Sequence, residues 1–266
     1  MGLLEGSAFI TGAASGIGEA TAHALAEHGV TKLAITDVDP QRLERVREDI
    51  RRKWPGVDVH AFKLDVTKSH EVASVLADVV RRFGRLDIAV NSAGIGGTPK
   101  RTDDFSDEEW LEVVNVNMNG VFWCQREQIR IMLKQEDLGK KRGRGCIINV
   151  ASLYGIVGPQ NGIDRTSYSS TKHAVMGMTR ADAQSHSGSG IRINAICPGY
   201  VITPLIDMGR GSDDPGHPLH THKMQTPLRR LGDPDEVGDG VVFLASPLAS
   251  FVNGTGLVVD GGYSAA

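Results

Sequence analysis

The chain has 266 residues, 40% hydrophobic and 23% charged, a size and balance that fit one large α/β domain with a sizeable core. Its formal net charge of -3 offers no global field to draw nucleic acid or an anionic membrane. Cys124, Cys146 and Cys197 lie far apart in apolar runs, so they read as buried free thiols rather than a disulfide framework, which suits a reducing, cytoplasmic setting.

The N-terminal "MGLLEGSAFITG" lacks the basic and long apolar regions of a secretory signal, and position 6 is Gly rather than the Ser or Thr of a myristoylation site. No run approaches the length of a membrane-spanning helix. Short β-branched runs recur as strand candidates: "SAFIT" near 7, "KLAIT" near 32, "DVHAFKL" near 58, "LDIAV" near 86, "GCIINV" near 145, "RINAI" near 192 and "GLVVD" near 256. Several are apolar on both faces, as in a buried parallel sheet. Amphipathic stretches at 16–28, 40–53, 69–82, 107–137, 167–187 and 234–245 alternate with them. The alternation predicts a doubly wound α/β domain. The basic run at 140–144 lacks interleaved aromatics and reads as a solvated loop.

The least regular segment is 203–233, an insertion rich in Gly, Pro, Asp and His that reads as a lid or a disordered loop. His217, His220 and His222 sit there without a cysteine partner, so they read as exposed loop histidines and no metal site is expected.

After the first strand comes "TGAASGIG", residues 11–18. Gly12, Gly16 and Gly18 follow a strand and open a helix, which lets backbone N–H groups approach a phosphate at a helix N-terminus. The spacing is G-x-x-x-G-x-G, not the common G-x-G-x-x-G fingerprint. The second strand ends in "ITDVDP". Asp39 precedes Pro40 and reads as a helix cap. Asp37 ends the strand, where a carboxylate accepts hydrogen bonds from a ribose diol and repels a 2′-phosphate. No Arg or Lys stands at 13–15 or 38 to welcome that phosphate. These residues favour NAD(H) over NADP(H).

Together the motifs resemble the classical short-chain dehydrogenase/reductase family over nearly the whole chain. "TGAASGIG" resembles its cofactor loop, with Ser15 and Ile17 between the glycines. "LDV" places Asp65 and Val66 where the family flanks the adenine. "NSAG", carrying Asn91, Ala93 and Gly94, resembles its "NNAG", with Ser92 departing from the commoner Asn. "NMNG" puts Asn117 in the helix motif, "ASLYG" carries the active-site serine at Ser152, and "YSSTK" is the Tyr-x-x-x-Lys motif of Tyr168 and Lys172. "CPGYVITP" resembles the segment beside the nicotinamide, with Pro198, Gly199, Val201 and Thr203. The resemblance implies a Rossmann-like seven-stranded parallel sheet flanked by helices, one domain over 1–266, a substrate loop at about 203–233 and a homotetramer or homodimer.

Residues four apart share a helix face, and an ammonium beside a phenol favours the phenolate. The pair Tyr168/Lys172 therefore reads as a general acid/base near neutral pH. By resemblance, Ser152 fixes the reacting oxygen, Lys172 also contacts the nicotinamide ribose, and Asn117 holds a water leading out from Lys172. Tyr154 is a rival phenol without a lysine four residues on. Substrate contacts are expected from Ser152, Tyr154, Gln160 and Tyr168, with Gly94–Gly97, Asn161 and 205–224 as further walls. No Arg/Lys cluster stands among these residues, so the substrate reads as a neutral, fairly apolar alcohol or ketone, with cyclic, sugar, steroid, terpenoid and polyketide alcohols and small diols all left open. Two alternatives stay open: an NADPH-dependent ketoacyl or polyketide-type reductase, and a non-catalytic NAD(H)-sensing protein.

Overall fold

The computed structural model describes residues 2–160, 163–209 and 213–265. Its strands are β1 (Ser7–Thr11), β2 (Lys32–Asp37), β3 (Asp58–Lys63), β4 (Ile88–Asn91), β5 (Gly145–Val150), β6 (Ile191–Pro198) and β7 (Gly256–Val259). All seven are parallel, in the order β3-β2-β1-β4-β5-β6-β7. The chain winds outward from β1 to β3, then crosses back to lay β4 against the other side of β1. That reversal opens a crevice at the carboxyl ends of β1 and β4, the usual ligand site of such sheets.

The helices are α1 (Gly16–Glu27), α2 (Pro40–Lys53), α3 (Ser69–Phe83), α4 (Asp107–Val114), α5 (Gly120–Met132), α6 (Thr166–His186), α7 (Pro218–Gln225) and α8 (Pro234–Ala245). Alternate strand residues feed two cores, one on each sheet face. Ile10, Ile35, Val90 and Ile148 pack with Leu25, Leu43, Ile50 and Val241 of α1, α2 and α8. Phe9, Ala34, Ala89 and Ile147 pack with Leu76, Val79, Phe83 and Met132 of α3 and α5. β1, β4 and β5 are buried throughout, which explains their nearly unbroken apolar sequences. Cys124, Cys146 and Cys197 are buried and free.

The Asp39 carboxylate caps α2, accepting from the N–H groups of Gln41 and Arg42 at 3.1 and 3.0 Å. Three expectations change. The amphipathic stretch 107–137 is helical without a break only to Met132, and a π-helical turn, Asn115–Asn119, joins α4 to α5 within it. The segment 203–233 contains α7, and its base is tied down. There Ile202 N–H donates to the Gly232 carbonyl at 2.9 Å and Gly232 N–H to Tyr200 at 2.8 Å. The basic loop is not simply solvated, because Arg142 pairs with Glu5 at 2.8 Å and reaches buried Asp87 at 3.5 Å. Among the described residues no helix is long and apolar enough to cross a membrane.

Candidate active site

A cavity of about 730 Å³ occupies the crevice at the strand ends. At one end the loop after β1 approaches the loop after β4. Gly12 has φ +69°, and a Cβ there would lie 2.7 Å from the Ala93 Cα, so only glycine permits the approach. The Thr11 hydroxyl oxygen holds the second loop, accepting from Ser92 and Ala93 N–H at 3.1 Å each. Ser15 stands at the N-cap of α1 without a side-chain capping bond, leaving the first N–H groups of the helix for an anion. Asp37 ends β2 at the same wall; its oxygens accept from Ala14 N–H and Asp39 N–H, each at 3.1 Å. Asp65 and Val66 line the floor beside it.

The other end holds the hydroxyl chemistry. Ser152 follows β5, and its oxygen accepts from Tyr154 N–H at 3.2 Å, which leaves its O–H free to donate. Tyr168 lies in the first turn of α6. Lys172 is one turn further on, with its Nζ 5.5 Å from the Tyr168 ring centroid. The ammonium donates to the Val150 carbonyl at 2.8 Å, and burial pulls its pKa down to about 8. The lowered phenol expected of the pair is not seen: the Tyr168 pKa lies above its ordinary value. Burial pushes the Tyr168 pKa up; the Ser152 hydroxyl and the Arg165 charge are what oppose it.

A family model described as Enoyl-(Acyl carrier protein) reductase matches residues 12–264. Cyclohexanol dehydrogenase from Acinetobacter sp. (strain SE19) is 37% identical over 257 residues, 97% of this chain and 94% of that protein. Cis-4-hydroxycyclohexanecarboxylate dehydrogenase from Sinomonas cyclohexanicum is 37% identical over 263 residues, 98% of this chain and 97% of the other. The crystal structure of a levodione reductase superposes with a TM-score of 0.88 at 35% identity, covering 98% of each chain. The chain belongs to the classical short-chain dehydrogenase/reductase family. Membership implies a nicotinamide cofactor, and the glycine cradle, the uncapped α1 terminus and the Asp37 oxygens fit one. When bound, such a cofactor supplies the hydride donor or acceptor.

In this dehydrogenase/reductase the cavity brings together most of the residues singled out in the sequence. Gly12, Ser15, Gly16, Ile17, Gly18, Asp37, Asp65, Val66, Ala93, Gly94, Ser152, Tyr154, Tyr168, Lys172, Pro198, Gly199, Val201 and Thr203 all line it. Three do not. Asn91 turns into the core, where its Nδ2 donates to Asn149 at 2.9 Å and Gln128 at 3.1 Å. It belongs to a buried amide ladder that continues through Asn149 to Gln125 and Thr179. Asn117 sits in the π-helical turn and grips the backbone of Ile95 with both ends of its amide, at 2.8 Å each. Its side chain is thereby committed to the loop after β4. Gln160 is exposed, outside the wall. Asn161 lies outside the described residues.

Other wall residues were not legible as such. Tyr200 stacks on His222 with centroids 4.1 Å apart and planes at 12°, and its hydroxyl meets that of Tyr154. His217 and His222, read as exposed loop histidines, both line the cavity. The Tyr154 phenol is engaged by the Tyr200 hydroxyl, and burial raises its pKa as it does that of Tyr168. Arg165, one turn before Tyr168, donates to the Gly96 and Gly97 carbonyls at 3.2 and 3.1 Å. An arginine in the turn preceding the Tyr-x-x-x-Lys helix was the one signal that could have located it.

Proposed function

We propose that this protein is an NAD(H)-dependent oxidoreductase interconverting a secondary alcohol and a ketone on a fairly apolar, alicyclic substrate. The observation that carries the reading is one cavity holding Ser152, Tyr168 and Lys172 at one end and Asp37 beside a glycine cradle at the other. Tyr168 serves as general acid/base on the reacting oxygen, and Ser152 donates to that oxygen and sets its angle. Lys172 supplies charge beneath the phenol and contacts the cofactor ribose. Asn117 is a positioning residue that holds the loop at Ile95. Asp37 accepts from the adenosine ribose diol and disfavours a 2′-phosphate.

Several observations support an alicyclic substrate. The cavity wall carries the apolar and aromatic side chains of Leu153, Ile163, Leu205, Ile206, Leu219 and Tyr200. Two relatives bear the names of cyclohexane-ring alcohols. A second reading, an NADPH-dependent reductase of acyl-type carbonyls, draws on the description of the matching family model; Asp37 opposes it. We read residues 1–266 as one catalytic domain with 203–233 as its substrate loop, acting in the cytoplasm. A homotetramer or homodimer is supported by exposed apolar residues on two faces, Trp110, Leu111 and Phe122 on one and Phe243, Leu248 and Phe251 on the other.

The test is initial-rate turnover of cyclohexanol and substituted cyclohexanols with NAD+ against NADP+, and of the matching ketones with NADH against NADPH. Turnover that favours NAD+ and NADH is the expected result. Turnover confined to NADPH would replace this reading with the second one, and tight NADH binding with no turnover would point to a cofactor-sensing protein.

A further inference from the structure

The cavity wall holds two Lys/Arg side chains among its described residues, Lys172 and Arg165. Lys172 is accounted for beneath the phenol. Arg165 is not. Its Nη1 spends both protons on the carbonyls of Gly96 and Gly97, at 3.2 and 3.1 Å. No carboxylate of the described residues pairs with it, and no bond is formed by its Nε or Nη2. The Nε/Nη2 edge of a guanidinium is a planar two-donor fork that matches a carboxylate. The Gly96 contact also locates the group. A Cβ at Gly96 would lie 3.3 Å from the Arg165 Nη1 and 3.4 Å from the Leu205 Cδ1. Arg165 therefore sits where the loop after β4, the start of α6 and the substrate loop meet, away from Asp37.

We infer that Arg165 is a specificity-determining residue that binds a carboxylate carried by the substrate on the part of the ring remote from the reacting carbon. This deepens the proposed function and rests on it. It revises the expectation of a neutral substrate, which followed from the absence of a cationic cluster in the sequence. One guanidinium suffices when its loop-facing nitrogen is already fixed, because the remaining fork is then held in place before the ligand arrives. Anchoring the 96–97 backbone would need only Nη1, so a purely structural role leaves the outer edge unexplained.

The test separates binding from turnover. Cyclohexanecarboxylate, which has no alcohol to oxidise, is titrated calorimetrically into the NADH-saturated enzyme, beside the neutral cyclohexanecarboxamide. Wild type should bind the carboxylate about 10- to 100-fold more tightly, the span of one or two charge-assisted hydrogen bonds. Arg165→Gln should erase that preference and Arg165→Lys restore part of it. In turnover, Arg165→Gln should raise KM for 4-hydroxycyclohexanecarboxylate far more than for its methyl ester. Equal affinity of wild type for the carboxylate and the amide overturns the inference, even if the variant fails to fold. An equal fall in kcat for acid and ester, with a shifted pH profile and unchanged KM, also overturns it, since Arg165 would then act only on Tyr168. Turnover of cyclohexanol without carboxylate binding sinks this inference and leaves the proposed reaction standing. Carboxylate binding without turnover of any alcohol does the reverse.

Discussion

Replacing Lys172 with Met should remove activity and stabilise the fold. Lys172 is 3% exposed, and among the described residues no carboxylate pairs with it. Its one hydrogen bond runs to the Val150 carbonyl at 2.8 Å. Burial holds its pKa at about 8 against an ordinary 10.5. Between those values the folded chain binds fewer protons than the unfolded one, so stability rises with pH across that window and the burden of the buried charge is felt in full below it. The gap corresponds to about 3 kcal/mol. Loss of the hydrogen bond to Val150 offsets about 1 kcal/mol, leaving a gain of about 2 kcal/mol at pH 7. For a chain of this size that raises Tm by about 4–8 °C. The assay is thermal unfolding of wild type and Lys172→Met at pH 7 and pH 10.5, followed by circular dichroism. At the higher pH the burden of the charge is nearly gone while the lost hydrogen bond remains, so the difference should fall through zero and reverse by up to about 1 kcal/mol. A variant less stable than wild type at pH 7, or a difference that ignores pH, would refute the reasoning.

Other consequences are as direct. Asp37→Ala should weaken NADH binding by about 1.5–3 kcal/mol and close the gap with NADPH in a fluorescence titration. It should also lower Tm slightly, because Ala14 and Asp39 N–H lose their acceptor. Asn149→Leu should destabilise the fold by about 3 kcal/mol, since the Gln125 amide oxygen, one Asn91 amide proton and the accepting side of the Thr179 hydroxyl each lose a buried partner. A urea melt measures it, and KM for the cofactor should hold. Tyr154→Phe removes the contact between the Tyr154 and Tyr200 hydroxyls, and should raise KM for an alicyclic alcohol while NADH affinity stays unchanged.

The sheet was largely readable in advance because buried parallel strands are short, β-branched and apolar on both faces; "GCIINV" coincides with β5 residue for residue. The cofactor end was readable for a different reason. Its chemistry depends on backbone approach, which marks the sequence with glycines such as Gly12. What escaped was set by tertiary contacts. Asn91 belongs to a motif of the cofactor loop, yet its register partner across the sheet is Asn149, and pairing of the two amides decides its direction. The π-helical turn at Asn117 keeps helical periodicity nearly intact, so nothing in the amphipathic stretch 107–137 marked it. Arg165, Tyr200 and His222 reach the substrate wall from three separate segments, and no local pattern brings them together. Gln160 failed in the opposite sense: closeness in sequence to Ser152 suggested a wall residue that the loop turns outward.

The most direct test of the central claim is the steady-state oxidation of a cyclohexanol with NAD+ by wild type and Tyr168→Phe, with NADH affinity measured on both. The variant keeps the ring that packs beside Lys172 and removes only the hydroxyl. A fall in kcat of about 10²–10⁴-fold with NADH affinity retained is the expected result. Activity that survives the loss of this hydroxyl, with an unaltered pH profile, would contradict the assignment of Tyr168 as the acid/base.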